Sequence, residues 1–119
     1  MQLHRIKGPA VEYDDGSKEW WQNGLYHRID GPAREFIDGT KEWFQNGKRH
    51  RINGPAVEES DGSKLWYQND KLHRLDGAAC EICSYKEYWI EGKQYSKEEF
   101  DKKISLLNKF NKIFIIFVK

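Results

Sequence analysis

The chain has 119 residues, of which 33% are charged and 38% hydrophobic, with 20 basic against 19 acidic side chains. This size indicates one domain, and the modest apolar fraction excludes a thick core. The balanced charge disfavours a general binder of phosphate backbones, which usually carries a clear basic excess. The longest apolar run, residues 113–118, is six residues, far below the ~20 of a membrane-spanning helix. We therefore expect a soluble cytoplasmic protein without a secretory leader.

One sequence unit occurs four times with a period of 23 residues. The repeated His-Arg pairs begin at His4, His27, His50 and His73. A Gly, a Glu and a Trp recur in step, and the tryptophans are Trp20, Trp43, Trp66 and Trp89. A period of this length indicates stacked supersecondary units, none of which buries its apolar surface alone.

Each unit is predicted to be a β-hairpin. Asp-Gly dipeptides at 15–16, 38–39 and 61–62 and Asn-Gly dipeptides at 23–24 and 46–47 favour tight turns with positive φ. The segments between them are rich in aromatic and β-branched residues, as strands are. Three prolines, Pro9, Pro32 and Pro55, predict a bend or bulge, because proline lacks the amide proton that a strand ladder needs.

The fourth unit is degenerate. Ala78 replaces the proline, Ser84-Tyr85 replaces Asp-Gly, and Glu91-Gly92 replaces Asn-Gly. Terminal repeats are often atypical because they cap the stack. We predict a mainly β fold: a single-layer antiparallel β-hairpin repeat array of four 23-residue repeats over residues 1–94.

A capping α-helix is predicted in the C-terminal segment, residues 95–119. Ser96 followed by Glu99 is a capping-box pattern, and Phe100, Ile104 and Leu107 share one helical face. The helix should run from about Ser96 to Phe110 or beyond and be followed by an apolar tail.

The segment 43–69, WFQNGKRHRINGPAVEESDGSKLWYQN, resembles MORN-type repeats. The similarity is to the divergent class common in bacterial, phage and giant-virus proteins and in antitoxin-like proteins, and it covers residues 3–92. It implies a single-layer hairpin array that acts as a binding platform. Ligands of this class are protein helices or peptides and, in some members, membrane lipids.

Two cysteines, Cys80 and Cys83, form an isolated C-x-x-C. Structural zinc needs four ligands, and only His73 lies nearby as a third candidate. Residues three apart on a strand also point to opposite faces. We predict packing cysteines, with a metal or redox pair as the alternative, and no cofactor or metal.

The repeated polar residues are predicted to be structural. Equivalent histidines lie two strands apart, about 10 Å, which a metal ion with ligands at about 2 Å does not bridge. The Arg and Glu of each unit should pair as a ladder. Because a regular array spreads carboxylates apart and no nucleophile, phosphate-loop or metal motif is present, we expect no enzymatic activity.

The aromatic residues are the candidate binding residues. Neighbours on a strand point to opposite faces, so Trp20, Trp43, Trp66 and Trp89 should line one face and Trp21, Phe44, Tyr67 and Ile90 the other. A helix of 15 residues spans about 22 Å and should cover about half of one face, which leaves the first two repeats partly open. Open apolar patches mark interfaces, and Trp, Tyr and Arg are favoured at hot spots. The predicted partner-binding residues are Trp20, Trp21, Arg28, Trp43, Phe44, Arg51, Trp66 and Tyr67.

The sequence therefore predicts a non-catalytic repeat module that docks a protein partner, such as a larger effector or scaffold. One alternative is a phage- or mobile-element-type inhibitor or antitoxin that blocks an effector enzyme. Another is a platform for membrane lipids or single-stranded nucleic acid, with nucleic acid disfavoured by the matched glutamates. Self-association into a homodimer and membrane contact through residues 111–119 also stay open.

Overall fold

The computed structural model describes residues 11–118, and residues 112–118 by their backbone alone. Within this range the chain forms fifteen short strands followed by one helix, α1 (Lys97–Val118). The strands are β1 (Val11–Glu12), β2 (Lys18–Glu19), β3 (Trp21–Gln22), β4 (Leu25–Tyr26), β5 (Arg34–Glu35), β6 (Lys41–Glu42), β7 (Phe44–Gln45), β8 (Lys48–Arg49), β9 (Val57–Glu58), β10 (Lys64–Leu65), β11 (Tyr67–Gln68), β12 (Lys71–Leu72), β13 (Cys80–Ile82), β14 (Tyr85–Ile90) and β15 (Lys93–Tyr95). The repeat positions His4, Arg5, Gly8 and Pro9 lie outside the described residues.

The strands form one long sheet with hairpins attached to it. The long sheet is antiparallel, with the order β1-β2-β5-β6-β9-β10-β13-β14-β15. Three short hairpins, β3-β4, β7-β8 and β11-β12, are each inserted between two strands of this sheet. The predicted fold class, an antiparallel β-hairpin repeat array with a C-terminal helix, is confirmed.

The turn of each short hairpin follows from its dipeptide. Asn23 and Gly24 both have positive φ, 52° and 76°, between strands paired from Trp21 to Tyr26. Positive φ at both central residues defines the type I′ turn, whose twist matches that of the flanking strands. The third hairpin keeps this geometry with Asn69 and Asp70, because Asp tolerates the left-handed region better than most residues.

A tryptophan joins the long sheet to each short hairpin. The Trp20 N–H donates to the Ala33 carbonyl at 2.7 Å, and the Trp20 carbonyl accepts from the His27 N–H at 3.0 Å. The same pair of bonds recurs at Trp43 and Trp66. Ala33 is completely buried. The bend in each strand therefore leaves no backbone group of the tryptophan unpaired.

The histidines connect one repeat to the next. His50 Nδ1 accepts a hydrogen bond at 3.0 Å from the backbone N–H of Asn69, the first residue of the next turn. His27 bonds Asn46 and His73 bonds Glu91 in the same way, both at 2.9 Å. The prediction that the repeated histidines are structural is confirmed for these three.

The last unit is shifted by one residue, which changes the aromatic pattern. Five residues separate the paired Glu12 and Lys18, but four separate the paired Glu81 and Lys86. Because side chains alternate along a strand, a one-residue shift exchanges the faces of every later residue in that strand. The backbone bonds agree, since the Arg74 N–H donates to Trp89.

Trp89 is therefore equivalent to Tyr67, the acceptor for Arg51, and not to Trp66. The prediction that Trp89 lines the face of Trp20, Trp43 and Trp66 is wrong, and so is the assignment of Ile90 to the opposite face. Tyr88 instead continues the column formed by Trp20, Trp43 and Trp66, which we call the Trp20 column. The shorter turn at Cys83-Ser84 is the physical reason.

The helix begins with the predicted capping box and continues beyond Phe110. The Ser96 N–H donates to Glu99 Oε1 at 2.8 Å, and the Glu99 N–H donates to Ser96 Oγ at 3.1 Å. The helix continues to Val118. Phe100 is buried, and its ring lies 5.0 Å from that of Tyr88. The helix thus covers the last member of the Trp20 column.

The expectation that the helix covers about half of one face is wrong. Its contacts concentrate on β14 and β15, the end of the long sheet. Beyond Ile104 the described side chains are exposed. The packing residues Phe100 and Ile104 belong to its first two turns, so the helix caps the array end without lying along a face.

We predict that Phe100→Ala lowers the free energy of unfolding by about 3 kcal/mol, because it removes a buried ring and uncovers Tyr88. Phe110→Ala is the matched control. Phe100 is 5% exposed and Phe110 is 72% exposed, so the control should change stability by less than about 0.5 kcal/mol. Urea unfolding followed by tryptophan fluorescence measures both, and equal effects of the two substitutions would contradict the capping role.

Candidate functional site

An arginine stacks on each of the three tryptophans of the Trp20 column. The guanidinium carbons of Arg28, Arg51 and Arg74 are each 3.8 Å from the ring centroids of Trp20, Trp43 and Trp66. Stacking of a guanidinium on an indole is attractive because the ring face is electron-rich. Each arginine comes from a non-strand return loop, residues 27–33, 50–56 and 73–79. We call the surface made by these stacks and loops the Arg–Trp face.

Each of these arginines is also held by acceptors of its own unit. Arg51 donates through Nη1 to the Pro55 carbonyl at 3.0 Å and to Glu58 Oε2 at 2.9 Å. Arg28 and Arg74 make the equivalent bonds to Glu35 and Glu81, at 3.0 and 3.1 Å. The predicted Arg–Glu pairing is confirmed for these three units. Because these charges are matched inside the fold, little is left to attract a phosphate backbone.

The repeated glycine of the return loop is explained by space and not by backbone conformation. A Cβ placed on Gly54 would lie 2.8 Å from the guanidinium carbon of Arg51, and Gly31 and Gly77 give 2.8 and 2.9 Å. Such a distance is shorter than van der Waals contact, so the guanidinium would have to shift from its position on the ring. The glycine therefore permits the stack.

The outer edge of the Arg–Trp face is a row of exposed aliphatic residues. Ile29, Ile52 and Leu75 each follow the His-Arg pair of their unit, and they are 79%, 70% and 45% exposed. These three residues were not among the predicted binding residues. Their recurrence every 23 residues was the signal in the sequence that could have identified them. Because they lie on a loop and not on a strand, no buried face required an apolar residue there.

A groove lies between consecutive return loops. It has a volume of about 500 Å³ and is bordered by Ile52 and Asn53 on one side and by Leu75 and Asp76 on the other. Trp66 lines it together with Arg74. Most of the side chains that line the groove are polar, and Ile52, Trp66 and Leu75 are its large apolar members.

The opposite face is occupied by a connected aromatic and charged cluster. The rings of Trp21 and Tyr26 are 4.2 Å apart, and the ring of Tyr26 is 5.2 Å from that of Phe44. Phe44 is 6% exposed. Arg34 forms ion pairs with Glu19 at 3.5 Å and with Glu42 at 3.0 Å. The repeats did not predict this network, because Arg34 has valines in the equivalent positions of neighbouring units.

Glu19 is the centre of hydrogen bonding on this opposite face. Its carboxylate accepts from Tyr13 Oη at 3.0 Å, Trp21 Nε1 at 3.2 Å and Tyr26 Oη at 3.3 Å, although Glu19 is only 8% exposed. The hydrogen bond to this carboxylate raises the pKa of Tyr13, and burial raises the pKa of Tyr26. Both phenols therefore stay neutral and donate, as a buried carboxylate requires.

The eight predicted binding residues do not form one surface. Trp20, Trp43 and Trp66 lie with Arg28 and Arg51 on the Arg–Trp face, where all are half-buried. The remaining three, Trp21, Phe44 and Tyr67, belong to the opposite face, as strand alternation predicted. Since Phe44 is buried there, it is not accessible to a partner.

The two cysteines differ in environment. Cys80 is buried, and burial together with the nearby Glu87 carboxylate raises the pKa of its thiol to about 12. Cys83 is exposed in the shortened turn with a φ of 55°. In the described part of the chain, no three His, Cys, Asp or Glu side chains are grouped closely enough to hold a metal ion.

In comparisons with protein-family models, curated proteins and solved structures, nothing matched this chain. Among residues 11–118 there is no helix with the length and apolar character needed to cross a bilayer.

We predict that Gly54→Ala lowers the free energy of unfolding by about 1–2 kcal/mol, because the added methyl displaces Arg51 from Trp43 and its acceptors. In an Arg51→Ala background the same substitution should be neutral or slightly stabilising, since nothing remains to displace. A double-mutant cycle from urea unfolding measures this coupling. Additive effects would show that the glycine serves another purpose.

We predict that iodoacetamide at pH 8 modifies Cys83 and leaves Cys80 unmodified in the folded protein. The thiolate is the reactive form, and a thiol whose pKa is raised to about 12 carries almost none at that pH. Peptide mass spectrometry identifies the modified residue, and the urea-unfolded protein, in which both should react, is the control. Rapid modification of Cys80 in the folded state would contradict its buried position.

Proposed function

We propose that this chain is a non-catalytic protein-binding repeat module, related to MORN-type repeats, whose Arg–Trp face docks a partner protein. The observation that carries the proposal is the row of exposed Ile29, Ile52 and Leu75 at equivalent positions beside the tryptophan columns. Large aliphatic side chains exposed in a regular row are uncommon on a surface without a partner.

The spacing of this row favours an α-helical partner segment. Consecutive return loops lie two strands apart, about 10 Å at normal strand separation. Seven residues of an α-helix advance about 10.5 Å. A helix laid along the loops would place every seventh residue in successive grooves, as in other helix-in-groove complexes. The expected partner segment is therefore helical, with an apolar residue at every seventh position.

The rigidity of the face supports the same conclusion. Arg74 is held by Asp76 at 2.8 Å, by the Ala78 carbonyl at 2.9 Å and by Glu81. A surface whose side chains are already immobilised loses little entropy when a partner binds. Trp66 and Arg74 also belong to the residue types found most often at binding hot spots.

The opposite face is less suited to this role. Its charges, those of Glu19, Arg34 and Glu42, form ion pairs with one another, and Phe44 is buried. A partner on that side would meet paired groups and gain little by covering them.

The test begins with photo-crosslinking. A photoreactive residue at position 52 should capture a host protein that the same residue at position 37 does not capture. Position 37 is the control because Ile37 is exposed to a similar degree, 66%, but belongs to an Asp-Gly turn. The captured protein is then purified and titrated directly.

The double variant Ile29→Glu/Ile52→Glu should bind the captured protein at least about tenfold more weakly, because apolar anchors at an interface contribute more than about 1 kcal/mol each to binding. Ile37→Glu is the control and should leave the affinity unchanged. Equal capture from positions 52 and 37, or unchanged affinity of the double variant, would overturn the proposal.

A further inference from the structure

In the part of α1 whose side chains are described, three apolar residues after Ile104 are exposed. Leu106 and Phe110 are 63% and 72% exposed, and Leu107 is exposed at 36%. The helical backbone continues through residues 112–118, where the sequence from 113 onward is entirely apolar. These residues follow the repeats, so their composition is not explained by the hairpin array.

The charges of the helix are segregated along its length. Its acidic residues, Glu98, Glu99 and Asp101, all belong to the beginning. After Asp101 every charged residue of the chain is a lysine: Lys102, Lys103, Lys109, Lys112 and Lys119. Residues 102–119 therefore carry a formal charge of +5, and since the whole chain carries +1, residues 1–101 carry +1 − 5 = −4.

A helical segment that combines lysines with exposed apolar side chains is typical of segments that bind a membrane interface. We propose that the second half of α1, residues 102–118, binds the surface of an anionic phospholipid bilayer. The apolar side chains, with Leu106 and Phe110 among them, enter the boundary between headgroups and acyl chains. The lysines contact the anionic headgroups, to which basic segments near a membrane are attracted.

The remainder of the molecule favours this orientation. The formal charge of −4 belongs to residues 1–101, which comprise the array and the first residues of α1, so an anionic surface attracts residues 102–118 and repels the rest of the chain. The helix is fixed to the array at its first two turns through Phe100, and Leu106 and Phe110 further along it are exposed. A paired helix is disfavoured, because a coiled coil needs about three to four heptads and this segment supplies about two.

Sedimentation with vesicles tests the proposal. The full-length protein should sediment with mixed phosphatidylcholine–phosphatidylserine vesicles about tenfold more than with pure phosphatidylcholine, and high salt should reduce the difference. Leu106→Glu/Phe110→Glu should lose about tenfold or more of the binding, because both apolar contacts become charged. Lys109→Glu should lose the preference for phosphatidylserine.

The matched control is Ser60→Glu/Ser84→Glu, which adds the same charge at two exposed turn positions of the array and should bind as the wild type does. Circular dichroism verifies that each variant is folded. Absence of sedimentation with both vesicle types, or undiminished binding of Leu106→Glu/Phe110→Glu, would overturn the proposal. A third contrary outcome is a wild-type dimer in light scattering that becomes monomeric in this variant, together with no binding to vesicles. In that case a second copy of the chain would cover the helix. None of these outcomes bears on the Arg–Trp face, which uses other residues.

Discussion

A sheet without a second layer cannot remove a large side chain entirely from water, and this constraint determines how the protein is stabilised. Among the described side chains, the completely buried ones are small, such as Ala33 and Ala56. The repeats therefore use half-buried stacks in which Arg51 covers Trp43 while bonding Pro55 and Glu58. A guanidinium suits this role because it is planar, always charged and able to donate in several directions.

The same constraint makes every repeat depend on its neighbours. His50 supplies the acceptor for the turn of the next hairpin, and the Arg51 N–H donates to Tyr67 in that hairpin. Each unit thus completes the hydrogen bonding of the next, which is the nearest-neighbour arrangement of repeat proteins. At the end of the array Tyr88 has no arginine above it, and Phe100 of the helix supplies the cover. Termination is achieved by replacing a polar stack with an aromatic one.

The molecule separates its internal contacts from its proposed external ones. On the face of Glu19 and Arg34, charged and aromatic groups are matched within the chain. On the Arg–Trp face the stacks are matched too, but Ile29 and Ile52 extend beyond them. The helix leaves a third region, around Leu106 and Phe110, in which apolar and basic groups have no counterpart in the array. The two proposals concern these last two regions, so the array would hold a protein partner and a membrane surface apart.

Interactions between residues close in the chain were predictable from the sequence. The type I′ turn at Asn23-Gly24, the capping box of Ser96 and Glu99, and the pairing of each arginine with the glutamate seven residues later all depend on short segments whose geometry is set by residue type. The period of 23 extended these local structures into an array.

Tertiary structure alone decided three features. The turn at Cys83-Ser84 is one residue shorter than its equivalents, and this exchanged the faces of Tyr88 and Trp89, although Trp89 keeps the 23-residue spacing from Trp66. The Glu19–Arg34–Glu42 network joins residues of different hairpins through Arg34, which has no equivalent arginine in the other units. Ile52 is exposed and Phe44 is buried because the neighbouring unit covers one of these residues and not the other. Sequence periodicity records which residues are equivalent, but register and burial depend on backbone geometry and on contacts between units, which no single unit encodes.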